Sequence, residues 1–182
     1  MRRARPLIGI SAMVLTGLLA ACGTPSASSA ANPSAGPSHW LQVDAGQKTV
    51  AVKLFAGEHN GMNFNGYGSG RMTVTVPADW RVAVHFINTD EAQAHSAMIV
   101  PFKEHTAMNI PATAVAFPRA STPDPTDGTQ YGLSETFQFT AAKIGHYALV
   151  CGVPGHAAMG MWDNFVVSGT ATTPSVTIRG SR

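Results

Sequence analysis

Charge and cysteine are both scarce in this chain. Asp, Glu, Lys and Arg make up 12% of 182 residues, and the formal net charge is only +2. Arg2, Arg3 and Arg5 carry that excess; the rest of the chain sets nine basic residues against ten acidic ones. Such a balance offers no basic face for nucleic acid. There are two cysteines, Cys22 and Cys151, too few for a disulfide framework. The apolar run at 7–21 is fifteen residues long, short of an ordinary membrane span. No internal repeat, coiled-coil pattern or nucleotide-binding glycine loop is present.

What is present begins with a positive n-region, Met1-Arg2-Arg3-Ala4-Arg5, followed by that apolar run. Together they read as a secretory signal over 1–21. The run ends Leu19-Ala20-Ala21-Cys22, which resembles the lipobox of bacterial lipoproteins. There the cysteine is lipidated and becomes the first residue of the mature protein. Cys22 is therefore the expected lipidation site. Residues 22–39, rich in Ser, Ala, Pro and Gly, read as a flexible tether. One domain is expected over 40–170, large enough for a real core, with a tail over 171–182. With Cys22 lipidated, Cys151 is a lone thiol in an exported protein, which points to a ligand, a reactive group or an intermolecular link.

The domain reads as short strands. Segments 48–55, 71–76, 80–88, 96–100, 135–140, 145–151 and 162–167 alternate apolar and polar residues or form short apolar runs between turn signals. Seven or so such strands imply an all-β, antiparallel Greek-key sandwich or barrel. Met62-Asn63-Phe64-Asn65-Gly66 reads as a turn around one buried aromatic. The stretch 101–133 is least regular: a short helix is possible within 102–116, and 117–132 is mainly loop. An excursion of that length is functional or an insertion over one edge. Val176-Thr177-Ile178 can pair on an edge.

Chemistry concentrates in Cys151-Gly152-Val153-Pro154-Gly155-His156-Ala157-Ala158-Met159-Gly160-Met161. Pro154 and Gly155 allow a tight turn that brings His156 back towards the Cys151 sulfur, and Gly160 allows a second turn. Thiolate, imidazole and a weak thioether suit copper best among first-row metals, and a His₂Cys plane with a long axial Met is a blue-copper ligand set. That set needs a second histidine. His95 is best placed, between a polar connection and a short apolar strand. His85 is expected to point off its strand into solvent or a local hydrogen bond. His146, an odd number of residues before Cys151, should face away from it. His39, His59 and His105 read as solvated loop residues. Met161 is preferred over Met159 as the axial ligand, with Met159 on the loop surface.

Phe86-Ile87-Asn88-Thr89, His95-Ser96 and the run from Cys151 to Trp162 together resemble the sulfocyanin and rusticyanin family of blue copper proteins. In that family a Cys-x₄-His-x₄-Met loop supplies three ligands and the His of the His-Ser pair the fourth, which correspond to Cys151, His156, Met161 and His95. Asn63-Phe64-Asn65-Gly66 resembles the Phe-Asn-Phe-Asn-Gly element of sulfocyanins, with Met62 in place of the leading Phe. The resemblance covers roughly 49–167. It implies a cupredoxin fold, one copper cycling between Cu(I) and Cu(II), and one-electron transfer in a respiratory chain, not an enzyme activity. Expected partners are redox proteins of the cytochrome or terminal oxidase type docking near His156, and a membrane reached through a lipid on Cys22. A monomer outside the cytoplasm is the expected form. Amide groups such as those of Ser96 or Val153 are expected to donate to the thiolate. The competing reading is an extracytoplasmic copper carrier or storage protein. A multicopper enzyme would need further histidine clusters, a dinuclear copper domain a second cysteine in the loop, and zinc is poorly served by Met.

Overall fold

A computed structural model describes residues 37–179. The expected signal, the Cys22 lipidation site and most of the tether therefore lie outside the described residues. No helix among the described residues is long and apolar enough to cross a membrane.

After a 3-10 turn at Pro37–Trp40 come nine strands: β1 (Leu41–Asp44), β2 (Thr49–Ala56), β3 (Met72–Pro77), β4 (Arg81–Asn88), β5 (Met98–Pro101), β6 (Ser134–Thr140), β7 (Gly145–Val150), β8 (Trp162–Ser168) and β9 (Ser175–Ile178). They form two sheets, ordered β1-β2-β4-β6 and β5-β7-β8-β3-β9. The strands alternate as their sequences dictate. Val50, Val52, Leu54 and Ala56 of β2, and Val82, Val84 and Phe86 of β4, point inward. They meet Met72, Val74 and Val76 of β3 and Phe165 and Val167 of β8 in one core. Rings close its centre: Phe117 stacks on Phe139 at 5.4 Å, and Phe139 meets Phe165 at 5.7 Å.

The sandwich is all-β as expected, but its sheets are mixed rather than antiparallel. β2 pairs with β4, and β3 with β8, in parallel. The chain crosses from one sheet to the other between β2 and β3 and returns between β3 and β4. Two crossings bring β4 back beside β2 in the same direction. The residues assigned to the tail contain β9, which pairs with β3 from Met72↔Ile178 to Thr75↔Ser175. The folded unit thus runs past the expected boundary at 170.

Two irregular segments complete the sheets. β1 covers only the first half of β2. Beyond it the Asn63–Gly66 turn takes over: Asn65 Oδ1 accepts the Phe55 N–H at 2.6 Å, and Asn65 Nδ2 donates to the Lys53 carbonyl at 3.1 Å. Phe64 is fully buried beneath it. The 101–133 excursion closes the free edge of β5, through Ile99 N–H to Ala120 O at 2.9 Å and Ala116 N–H to Ile99 O at 2.8 Å. An open edge there would be a template for another chain. The helix considered for 102–116 is one 3-10 turn, Phe102–Glu104. Pro111 steers the residue before it away from helical geometry.

Candidate metal centre

Cys151 is the first residue past β7, and the loop after it turns twice to reach β8. Gly155 and Gly160 take φ of +85° and +99°, values open to glycine and strained for other residues. The backbone then closes on itself. His156 N–H donates to Val153 O at 3.1 Å, Met161 N–H to His156 O at 3.0 Å, and Cys151 N–H to Met161 O at 3.1 Å. The far end is pinned from the 62–70 segment, by Ser69 N–H to Gly160 O at 2.8 Å and Gly70 N–H to Trp162 O at 3.0 Å. Ser69 and Gly70, a few residues past the Asn63–Gly66 turn, thereby hold the residues on either side of Met161.

His95 arrives from the β4–β5 connection. It is fixed by a two-way bridge with Thr129: His95 N–H to Thr129 O at 3.2 Å, and Thr129 N–H to His95 O at 2.7 Å. Among the described residues, His95, Cys151 and His156 are the one group of three or more His, Cys, Asp or Glu whose ligand atoms converge. The distances are 3.1 Å between the two Nδ1 atoms, 3.5 Å from Cys151 Sγ to His156 Nδ1, and 3.9 Å from Sγ to His95 Nδ1. A first-row ion at about 2.0 Å from nitrogen and about 2.3 Å from sulfur, in a trigonal plane, sets its donors about 3.5–3.7 Å apart. The triangle fits such an ion with shifts of a few tenths of an ångström.

The surroundings are dry. His95 and Cys151 are completely buried and His156 is 6% exposed. Burial pushes the Cys151 thiol up, against the amides of Ser96 and Val153, which favour the thiolate. The expected amide donors are thus in place, with Ser96 N–H 3.4 Å from sulfur. Burial and the neighbouring His95 lower the His156 pKa, partly offset by Asp90. A lowered pKa keeps that imidazole neutral and able to ligate. Ser96 Oγ donates to Pro125 O at 2.6 Å and accepts the Gly152 N–H at 2.8 Å. Through this hydroxyl the excursion is tied against the thiolate.

Met161 is fully buried in the same core cluster as Cys151, whereas Met159 is 59% exposed. Met159 sits on the surface beside the exposed Met108, near Gly155. His85 points off its strand onto Thr136 Oγ1 at 3.1 Å, and exposed His146 bonds Asn164 Oδ1 at 2.8 Å. Neither joins the donor group. His39 and His59 are exposed. His105 is not a solvated loop residue: it is half-buried, stacked on Phe102 at 4.4 Å and edge-on to Trp162 at 4.3 Å.

One residue that sequence reasoning passed over completes the centre. Asp90, fully buried, places Oδ2 2.9 Å from His95 Nε2. Burial alone pushes its carboxyl up, but the His95 hydrogen bond, the amides of Ala92 and Gln93 and the His95 charge together hold it below the ordinary value. The signal available in sequence was faint: an acid five residues before a candidate ligand, in a connection already read as polar. A surface groove along Gln42, Ala51, Arg81 and Gln138 lies on the outer face of the first sheet and contains none of these residues.

Residues 37–178 match the sulfocyanin (SoxE) domain model. The chain is 32% identical over 124 residues to sulfocyanin of Sulfolobus acidocaldarius, covering 65% of this chain and 62% of that protein. It is 36% identical over 96 residues to rusticyanin of Acidithiobacillus ferrooxidans, covering 52% of this chain and 59% of that protein. The chain thus spans about three-fifths of the length of these curated relatives. Among solved structures, auracyanin A, a "blue" copper protein from Chloroflexus aurantiacus, is 20% identical with a TM-score of 0.49, covering 66% of this chain and 99% of that one.

Proposed function

The chain belongs to the sulfocyanin (SoxE) domain family, and from that premise we propose that it is a mononuclear blue copper protein that carries single electrons between respiratory partners outside the cytoplasm. The observation that carries the reading is the buried triangle of His95 Nδ1, His156 Nδ1 and Cys151 Sγ. Two imidazoles and a thiolate are a blue-copper donor set, and these three side chains, with the buried Met161 as a weak thioether donor, would hold the copper. Copper bound there supplies a one-electron couple.

The protein's part is to change little as the electron comes and goes. The donors are held by backbone bonds within the loop and by bonds from Thr129 and residues 69–70. Their burial excludes water, so little solvent must reorganise around them. The Ser96 and Val153 amides point at the sulfur and lessen its electron donation, which favours Cu(I). Pro154, Ala158 and Met159 are exposed around His156, forming a small rim with few charges where a redox partner docks. His156 is the shortest way out for the electron.

A lipid on Cys22 anchors the protein to a membrane on its outer side, and the uncharged 22–39 segment gives it reach. The competing copper-carrier reading requires exchangeable ligands, and donors this buried disfavour it. The test is the optical and spin-resonance spectrum of the copper-loaded chain. One copper and an intense blue colour are expected, and Cys151→Ser should abolish the colour. A colourless Cu(II) form with an ordinary tetragonal signal would reject the reading.

A further inference from the structure

The carboxylate behind His95 is built in with more care than a packing role requires. Asn88, fully buried, shapes the connection that carries it: its Oδ1 accepts the Asp90 N–H at 2.9 Å, and its Nδ2 donates to the carbonyls of Gln93 and Thr129, both at 2.8 Å. Asp90 Oδ1 accepts the amides of Ala92 at 2.8 Å and Gln93 at 3.2 Å, and Oδ2 faces His95 Nε2 at 2.9 Å. Both oxygens therefore face donors. An asparagine in the same pose would turn its NH₂ against one set of N–H groups, because an amide accepts at one end only. The chain also makes room for the pair. Gly57 has φ +73°, and a Cβ there would lie 2.4 Å from Asp90 Cβ and 2.9 Å from His95 Nε2.

Two consequences follow from this geometry. An acceptor on Nε2 fixes the proton at that nitrogen and leaves Nδ1, the atom facing Cys151 and His156, free to bind metal. The acceptor here is also a full negative charge, on a side chain buried from solvent. A bound metal one imidazole ring away carries one more positive charge when oxidised than when reduced. A buried anion stabilises the oxidised form more.

Resting on the copper reading above, we propose that Asp90 is a positioning residue that sets the redox balance of the centre: through His95 it favours Cu(II) and opposes the potential-raising effect of the amides at sulfur. One electron enters or leaves the metal, and no bond to Asp90 forms or breaks. The effect belongs to the charge and not merely to the hydrogen bond. A neutral residue should release it even where the histidine stays in place.

The experiment is a redox titration of the copper-loaded full chain, parent against Asp90→Asn and Asp90→Ser, with optical spectra recorded alongside. Both neutral variants should remain blue and shift the Cu(II)/Cu(I) equilibrium towards Cu(I) by about tenfold or more, as expected for loss of one charge an imidazole ring away from the metal. For a one-electron couple each tenfold is an upward move of 59 mV. A packing role alone predicts weaker copper binding or altered spectra without a common upward shift. Unchanged or lowered potentials in blue variants overturn the proposal and leave the copper reading standing. A parent that is not blue overturns the copper reading instead. Should neither variant hold copper, nitrogen and proton resonances of the metal-free parent decide: a slowly exchanging, far-downfield proton on His95 Nε2 is expected, and a proton on Nδ1 with Nε2 bare would refute the assignment.

Discussion

Asp163 should contribute stability in mild acid that is lost towards neutral pH, and Asp163→Asn should remove that contribution. The carboxyl is fully buried on β8. Its Oδ1 accepts the Met72 N–H at 2.8 Å, while Oδ2 has no partner. Burial pushes its pKa from 3.8 up to about 7, against the Met72 amide and the Arg71 charge. The unfolded chain releases this proton near 3.8; the folded chain keeps it to about 7. Between those values the folded state binds more protons, so stability falls as pH rises. Three pH units at 1.36 kcal/mol each amount to about 4 kcal/mol, an order-of-magnitude figure. Asparagine imitates the protonated acid, one oxygen on Met72 and one unpartnered end. The variant should match the parent near pH 4, then exceed it by a margin that grows to about 4 kcal/mol above pH 7. Urea denaturation of both metal-free proteins from pH 4 to 8 measures this. Taking the difference between them cancels the opposing contributions of His156, whose lowered pKa favours folding at higher pH, and of Asp90. A difference that stays flat across that range would show that Asp163 is already ionised in acid, and the argument from its burial would fail.

Met161→Leu should leave copper bound and blue but raise the potential, Met161→Gln should lower it, and Met159→Leu should barely alter the spectrum; large shifts at Met159 alone would mean that the loop closes two residues earlier. Asn65→Ala removes two backbone partners from β2, and should cost about 1–3 kcal/mol in denaturant melts, with the wild-type melting midpoint refuting it. Cys22→Ala should release the protein from the membrane fraction, and a variant that stays bound would acquit the lipid.

The donors other than His95 were legible because they share eleven residues with the glycines that bend them together. The strands were legible wherever alternation met a core, as in Thr49–Ala56 and Arg81–Asn88. β1 escaped because it is only four residues long and three of them are exposed. The parallel pairings escaped because strand direction follows from which sheet each crossing enters, and no local pattern records that. The 101–133 excursion kept its buried residues, among them Ile110, Phe117, Ala120, Thr122 and Thr129, at irregular spacing, so periodicity could not announce that it lines β5 and the thiolate. Asp90 escaped for a related reason: an acid in a polar connection looks solvated until the tertiary fold wraps Gly57 and Thr129 around it.

The separation of the donors along the chain has a temporal side. His95 lies 56 residues before Cys151 and 61 before His156, and the loop holding the latter two is closed by bonds from residues 69 and 70. Contacts between such distant segments are slow to form, because closing the long stretch of chain between them costs entropy before the contact rewards it. A chain emerging N-terminus first has released nearly all of its sandwich before the second donor exists. Cys151 has no disulfide partner among the described residues and is fully enclosed only in the finished fold. Its protection from oxidation before metal arrives is therefore a matter of speed: the thiol is safe once β8 has zipped onto β7 and β3, and vulnerable for as long as that takes.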